Sequence, residues 1–102
     1  MVEKYNSKKI EYSGDELVIC IGENYSQLPI FGCTIVDWDK NGREISRWCI
    51  SFGENKEETE EKYITIRELI TKNPKIEPFL HLEPRFSFIL DEEGEDVWEE
   101  EV

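Results

Sequence analysis

Apolar residues between Glu16 and Phe52 fall in the short runs that β-strands need, separated by polar punctuation. Residues 16 to 21 (ELVICI) form a β-branched run dense enough for a strand buried on both faces or nearly so, and Gly22-Glu23-Asn24 stops it. Ser26 to Pro29 connects to a second strand, Ile30 to Trp38 (IFGCTIVDW). Asp39-Lys40-Asn41-Gly42 then lies between two apolar runs, and Asn-Gly readily takes the positive φ angles of a tight hairpin turn. Ile45 to Phe52 (ISRWCISF) is the antiparallel return strand.

The pattern changes after Phe52. Residues 53–62 (GENKEETEEK) carry no apolar side chain, which predicts a solvated loop with no stripe to dock. Tyr63-Ile64 re-enters the core. Thr65-x-x-Glu68 reads as a capping box, in which the Thr hydroxyl accepts an early helix N–H and the Glu reaches back to the Thr N–H. A helix therefore starts at Thr65, with Ile66, Leu69 and Ile70 as its apolar face, Lys72 at its negative end and Asn73-Pro74 as its stop. Pro74 and Pro78 bracket Ile76 ahead of Phe79, Leu80 and Leu82, which suits a short 3₁₀ turn against the core. Phe86 to Leu90 alternates as a strand, Asp91 to Glu95 turns with Gly94, and Asp96 to Glu100 returns as an edge strand.

The architecture these elements predict is α+β: an antiparallel sheet of four to six strands with one main helix, about residues 65–72, packed on one face. A length of 102 residues fits a single domain spanning 1–102, with a mildly basic, frayed arm at 1–9 and an acidic segment at 91–102. The complete absence of alanine, beside abundant isoleucine, threonine and aromatics, favours strands further.

Charge narrows the partners. Twenty-four acids against twelve Lys and Arg give a net charge of −12, which disfavours nucleic acid and anionic membrane and makes a basic protein the natural partner. The longest apolar run, Leu17 to Ile21, is far short of the roughly 20 residues that span a bilayer. Met1 to Tyr5 shows no apolar stretch of a secretion signal, so a cytoplasmic location is expected. Cys20, Cys33 and Cys49 are odd in number, lack any CxxC spacing and sit in apolar strands, which predicts buried, reduced thiols.

Candidate chemistry is sparse. His81 is the only histidine, so a zinc site or a nucleophilic triad lacks its usual second imidazole or marked nucleophile. The six glycines are isolated and form no phosphate-binding loop. Asp37-Trp38-Asp39-Lys40-Asn41-Gly42 matches the first half of an EF-hand loop, but Trp48 stands where the bidentate Glu should be, and strand pattern follows where a helix should. The expectation is an ordinary hairpin turn, no metal, no cofactor and no catalytic residue.

Charge geography is the remaining signal. Residues 91–101 (DEEGEDVWEEE) hold eight acids and no base around Val97 and Trp98. Such a segment is either a solubilising tail or a surface that steers and seats a basic protein. Under the second reading the candidate partner-binding residues are Asp91, Glu92, Glu93, Trp98, Glu99 and Glu100, together with Glu54, Glu57 and Glu58 of the acidic loop and Trp38 beside the hairpin turn. Trp98 also fits packing on the sheet, and Trp48, inside its strand, reads as core.

From residue 45 onward the order of features resembles a known family. Ser46-Arg47-Trp48 is followed by Ser51-Phe52-Gly53-Glu54-Asn55, then by Tyr63-Ile64-Thr65-Ile66-Arg67-Glu68-Leu69-Ile70, Asn73-Pro74-Lys75-Ile76-Glu77-Pro78-Phe79-Leu80, and finally Phe86-Ser87-Phe88 with Asp91-Glu92-Glu93-Gly94-Glu95. This order is similar to the small bacterial immunity proteins of polymorphic toxin systems known as immunity family thirty-three, over about residues 45–100. Arg47 stands where that family commonly has a glycine. The resemblance implies a non-enzymatic α+β protein that binds and neutralises a cognate toxin made in the same cell, and a monomer or weak homodimer is expected. The alternative is a cytoplasmic accessory domain that binds another protein or a small molecule with no toxin involved.

Overall fold

The computed structural model describes residues 9–22, 24–53 and 61–99. In chain order these form β1 (Leu17–Ile21), β2 (Ile30–Trp38), β3 (Glu44–Phe52), β4 (Glu61–Thr65), α1 (Ile66–Lys72), a 3₁₀ turn (Pro74–Ile76), α2 (Glu77–Leu80), β5 (Phe86–Asp91) and β6 (Gly94–Glu99). The six strands make one sheet in the order β4-β1-β3-β2-β5-β6. Residues 1–8 of the expected frayed arm at 1–9 and most of the acidic loop lie outside the described residues.

The sheet is mixed, which corrects the antiparallel expectation. β1 runs parallel to β3, with Ile19 opposite Cys49 and Cys20 opposite Ile50, while every other neighbouring pair is antiparallel. Period-two alternation fixes which face Val18 and Cys20 occupy but not which way the strand runs, so the parallel pairing has no local signature. The β2–β3 hairpin matches its expected turn: Gly42 takes a φ of 79° and its N–H donates to the carbonyl of Asp39 at 3.0 Å.

Two helices replace the one expected. α1 begins at the predicted N-cap, with the Glu68 N–H donating to Thr65 Oγ1 at 3.1 Å, which is the threonine half of the expected capping box. The 3₁₀ turn over Pro74–Ile76 is present, but the chain then adds a short helix in which proline occupies the opening turn, where its missing N–H costs nothing. Tyr63 is also corrected. It lies in β4, an unanticipated strand, and is 52 % exposed because its neighbour Ile64 takes the core-facing position.

The helical segment connects β4, at one sheet edge, to β5, next to the other, and so covers one face. Val18, Cys20, Ile30, Trp48, Ile50, Phe52, Phe86, Phe88 and Val97 of the sheet pack there against Ile66, Leu69, Ile76, Phe79 and Leu80. Phe88 stacks on Phe79 at 4.7 Å and tilts against Trp48 at 5.5 Å. It lies directly over Gly32, where a Cβ would stand 2.2 Å from its ring. Trp48 is core, as its place within a strand predicts, and its indole N–H donates to the Leu80 carbonyl at 3.3 Å.

Candidate interaction surface

The strand registers put a second set of side chains on the other face of the sheet. These are Leu17, Ile19 and Ile21 of β1, Phe31, Cys33, Ile35 and Asp37 of β2, Ile45, Arg47, Cys49 and Ser51 of β3, Glu61, Tyr63 and Thr65 of β4, Ser87, Ile89 and Asp91 of β5, and Asp96 and Trp98 of β6. No helix or strand among the described residues covers this face. A sheet covered on one face normally turns polar side chains to water on the other, and this one turns a mixture in which Leu17, Ile35 and Tyr63 are exposed.

Arg47 organises the patch. Its Nε donates to Asp37 Oδ2 at 2.6 Å and its Nη1 to the Leu17 carbonyl at 2.8 Å, and its guanidinium lies 5.5 Å from the centre of the Tyr63 ring. Tyr63 Oη lies 3.4 Å from the same carboxylate oxygen. The Trp38 N–H and then the Arg47 guanidinium hold the Asp37 carboxyl below the usual carboxylate range. Around this pair stand Leu17, Ile35 and Tyr63, 41 %, 40 % and 52 % exposed.

The candidate residues named from sequence do not converge on one site. Trp38 is 60 % exposed at the tip of the β2–β3 hairpin, on the opposite side of β2 from Asp37. Asp91, Glu92 and Glu93 form the β5–β6 turn, with Asp91 Oδ1 accepting from the N–H groups of Glu93 and Gly94. Because β5 is antiparallel to β2, that turn lies at the far end of the sheet from Trp38. Trp98 is half-buried on the second face with its ring 5.9 Å from Phe31, and Glu99 is paired to Arg85 at 2.6 Å. Glu54, Glu57, Glu58 and Glu100 lie outside the described residues. Sequence reasoning missed Arg47, Asp37 and Tyr63 as a unit, because they come from three strands and meet only through the register.

Two open clefts flank the sheet ends. One, of about 760 Å³, lies between the start of β1 and the hairpin and is lined by Asp15, Glu16, Leu17, Lys40 and Arg47 among others. The other, of about 580 Å³, is lined by Lys72, Lys75, Asp91 and Glu95 beside Leu28 and Phe79. His81 stacks on Tyr12 at 4.5 Å, with Nδ1 2.9 Å from the Ile10 carbonyl and Nε2 3.2 Å from Tyr12 Oη, so it ties the segment before β1 to the helical layer. Burial pushes the Tyr12 hydroxyl up to about 12. Asp39 Oδ1 accepts from the N–H groups of Asn41 and Arg43, and Asp37 is held by Arg47, so both leading carboxylates of the EF-hand-like run are used inside the hairpin.

None of the three cysteines is in a disulfide, and the expected burial holds in full only for Cys20. Cys33 and Cys49 face each other across β2 and β3 and are half-buried, because their face lacks the helical cover that encloses Cys20. No helix among the described residues is long and apolar enough to cross a membrane.

The Imm33-like domain family has a model that matches residues 1–100, and the chain belongs to that family of immunity proteins. The match takes in the first 44 residues as well as the later segment that carries the sequence resemblance. No curated protein and no solved structure matched the chain.

Proposed function

We propose that this Imm33-like chain is a non-enzymatic immunity protein that binds and neutralises a cognate basic toxin in the cytoplasm of the cell that makes it. Family membership carries the reading, since immunity proteins act by engaging a toxin. The net charge of −12 supplies the basic character of the partner, because a strongly acidic protein attracts a basic one over several ångströms and repels acidic competitors. The only histidine stacks on Tyr12 and holds the segment before β1, and the Arg47–Asp37 ion pair on the second sheet face supports a binding role.

Affinity capture with the full chain from its native cell, followed by mass spectrometry, tests this. The expected result is a basic toxin domain retained at low salt and weakened as salt rises, since charge steering is screened over about 8 Å at physiological ionic strength. Recovery of a housekeeping enzyme or a small molecule in place of a toxin would instead support the accessory-domain alternative.

A further inference from the structure

The exposed large hydrophobic side chains among the described residues are Ile10, Leu17, Leu28, Ile35, Val36, Trp38 and Tyr63. Three of them, Leu17, Ile35 and Tyr63, come from three different strands and gather around Arg47 on the face that no helix or strand among the described residues covers. Contiguous exposed apolar surface on a small soluble protein marks an interaction site more often than isolated residues do.

We infer that this face, centred on the Leu17–Ile35–Tyr63 patch over the Arg47–Asp37 pair, is where the toxin docks, and that the docking element is an apolar ridge flanked by Lys or Arg. The inference deepens the immunity reading and rests on it. Arg47 is fixed from two sides, by Asp37 and by the Leu17 carbonyl, so its guanidinium and the Tyr63 ring above it form a preformed platform. Tyr and Arg are the residue types that most often dominate binding energy, and a preformed arrangement loses little side-chain entropy on binding.

Charge selects the occupant. The charged strand residues on this face are Asp37, Arg47, Glu61, Asp91 and Asp96. Arg47 and Asp37 satisfy each other, which leaves Glu61, Asp91 and Asp96, all acidic. Two copies of the chain set face to face would each carry a net −12, so their overall charges repel. A basic surface removes that repulsion and adds attraction. The competing apolar surface, Val36 and Trp38 on the other side of the hairpin, has Glu44 directly across from Trp38 and Asp39, Lys40 and Arg43 in the turn beside it, so its charges balance and offer a basic partner no net attraction.

The test uses the full-length chain and the toxin that the wild type captures, purified and titrated against Tyr63→Ala, Ile35→Asp and the charge variant Asp96→Lys, with Trp38→Ala as the surface control. Circular dichroism and thermal melts first show that each variant is folded. The expected result is an affinity loss of about tenfold or more for Tyr63→Ala and Ile35→Asp, slower association for Asp96→Lys, and wild-type binding for Trp38→Ala. Wild-type affinity in the Tyr63 and Ile35 variants overturns the docking assignment while leaving the immunity function intact, as does a concentration-dependent dimer of the free chain that those variants abolish. A wild-type chain that captures no toxin overturns the immunity reading, and this inference with it.

Discussion

Arg47 on β3 reaches diagonally across the ladder to Asp37 on β2, with Nε and Oδ2 2.6 Å apart, although the residue directly opposite Arg47 is Ile35. The same guanidinium holds the Leu17 carbonyl, so one side chain ties together three strands at the hairpin end of the sheet. Its side chain is 10 % exposed, which places most of these contacts out of water.

Replacing Arg47 with Met keeps the apolar stem and removes the charged donors. Loss of a hydrogen bond to a charged group costs about 1.5–3 kcal/mol, so the denaturant midpoint should fall with an unchanged m-value. A variant as stable as the wild type would mean that the pair orients the surface without stabilising the fold.

The Asp37 carboxyl titrates below its ordinary value, held first by the Trp38 N–H and then by Arg47. A depressed folded-state value means that this stabilisation is complete above the unfolded-state value of about 3.9 and disappears as pH falls through the lower folded-state value. Thermal melts of wild type and Asp37→Asn over the acid range should therefore differ most above that window and converge below it.

Gly32→Ala tests the core. Its Cβ would meet the Phe88 ring at 2.2 Å, and Phe88 has no room to retreat between Phe79 and Trp48. Overpacking of this kind typically costs about 1–3 kcal/mol, to be read as a lowered melting temperature. Thr65→Ala should cost about 0.5–2 kcal/mol by removing the acceptor of the Glu68 N–H, and toxin binding should survive it at temperatures where the fold persists.

Burial pushes the Cys20 thiol up to about 12 and the Cys49 thiol up to about 11, so little thiolate is present near neutrality at either. Iodoacetamide at pH 8 should label both slowly in the folded protein and rapidly after unfolding, with no intramolecular disulfide found by mass spectrometry. Fast labelling of Cys49 in the native state would show that the second face opens more than its static exposure indicates.

Local signals made much of the fold readable in advance. Asn41-Gly42 fixed the hairpin, Thr65-x-x-Glu68 fixed the start of α1, and β2 begins and ends at Ile30 and Trp38 as the alternation predicts. β4 escaped because Ile64 is its one residue packed on the core, Lys62 on the same face is exposed and Tyr63 points to the other face, leaving no apolar run to see. The second face escaped for a different reason. Ile35 and Tyr63 look like core residues in a strand pattern, and only the strand order and the single helical layer decide which of two apolar faces stays open.

The most direct measurement is a titration of the captured toxin's own activity with the purified chain. Immunity by binding predicts that the activity falls to background as the molar ratio approaches unity, and that Tyr63→Ala needs a large excess to reach the same point. Full toxin activity in the presence of excess wild-type chain would contradict the account.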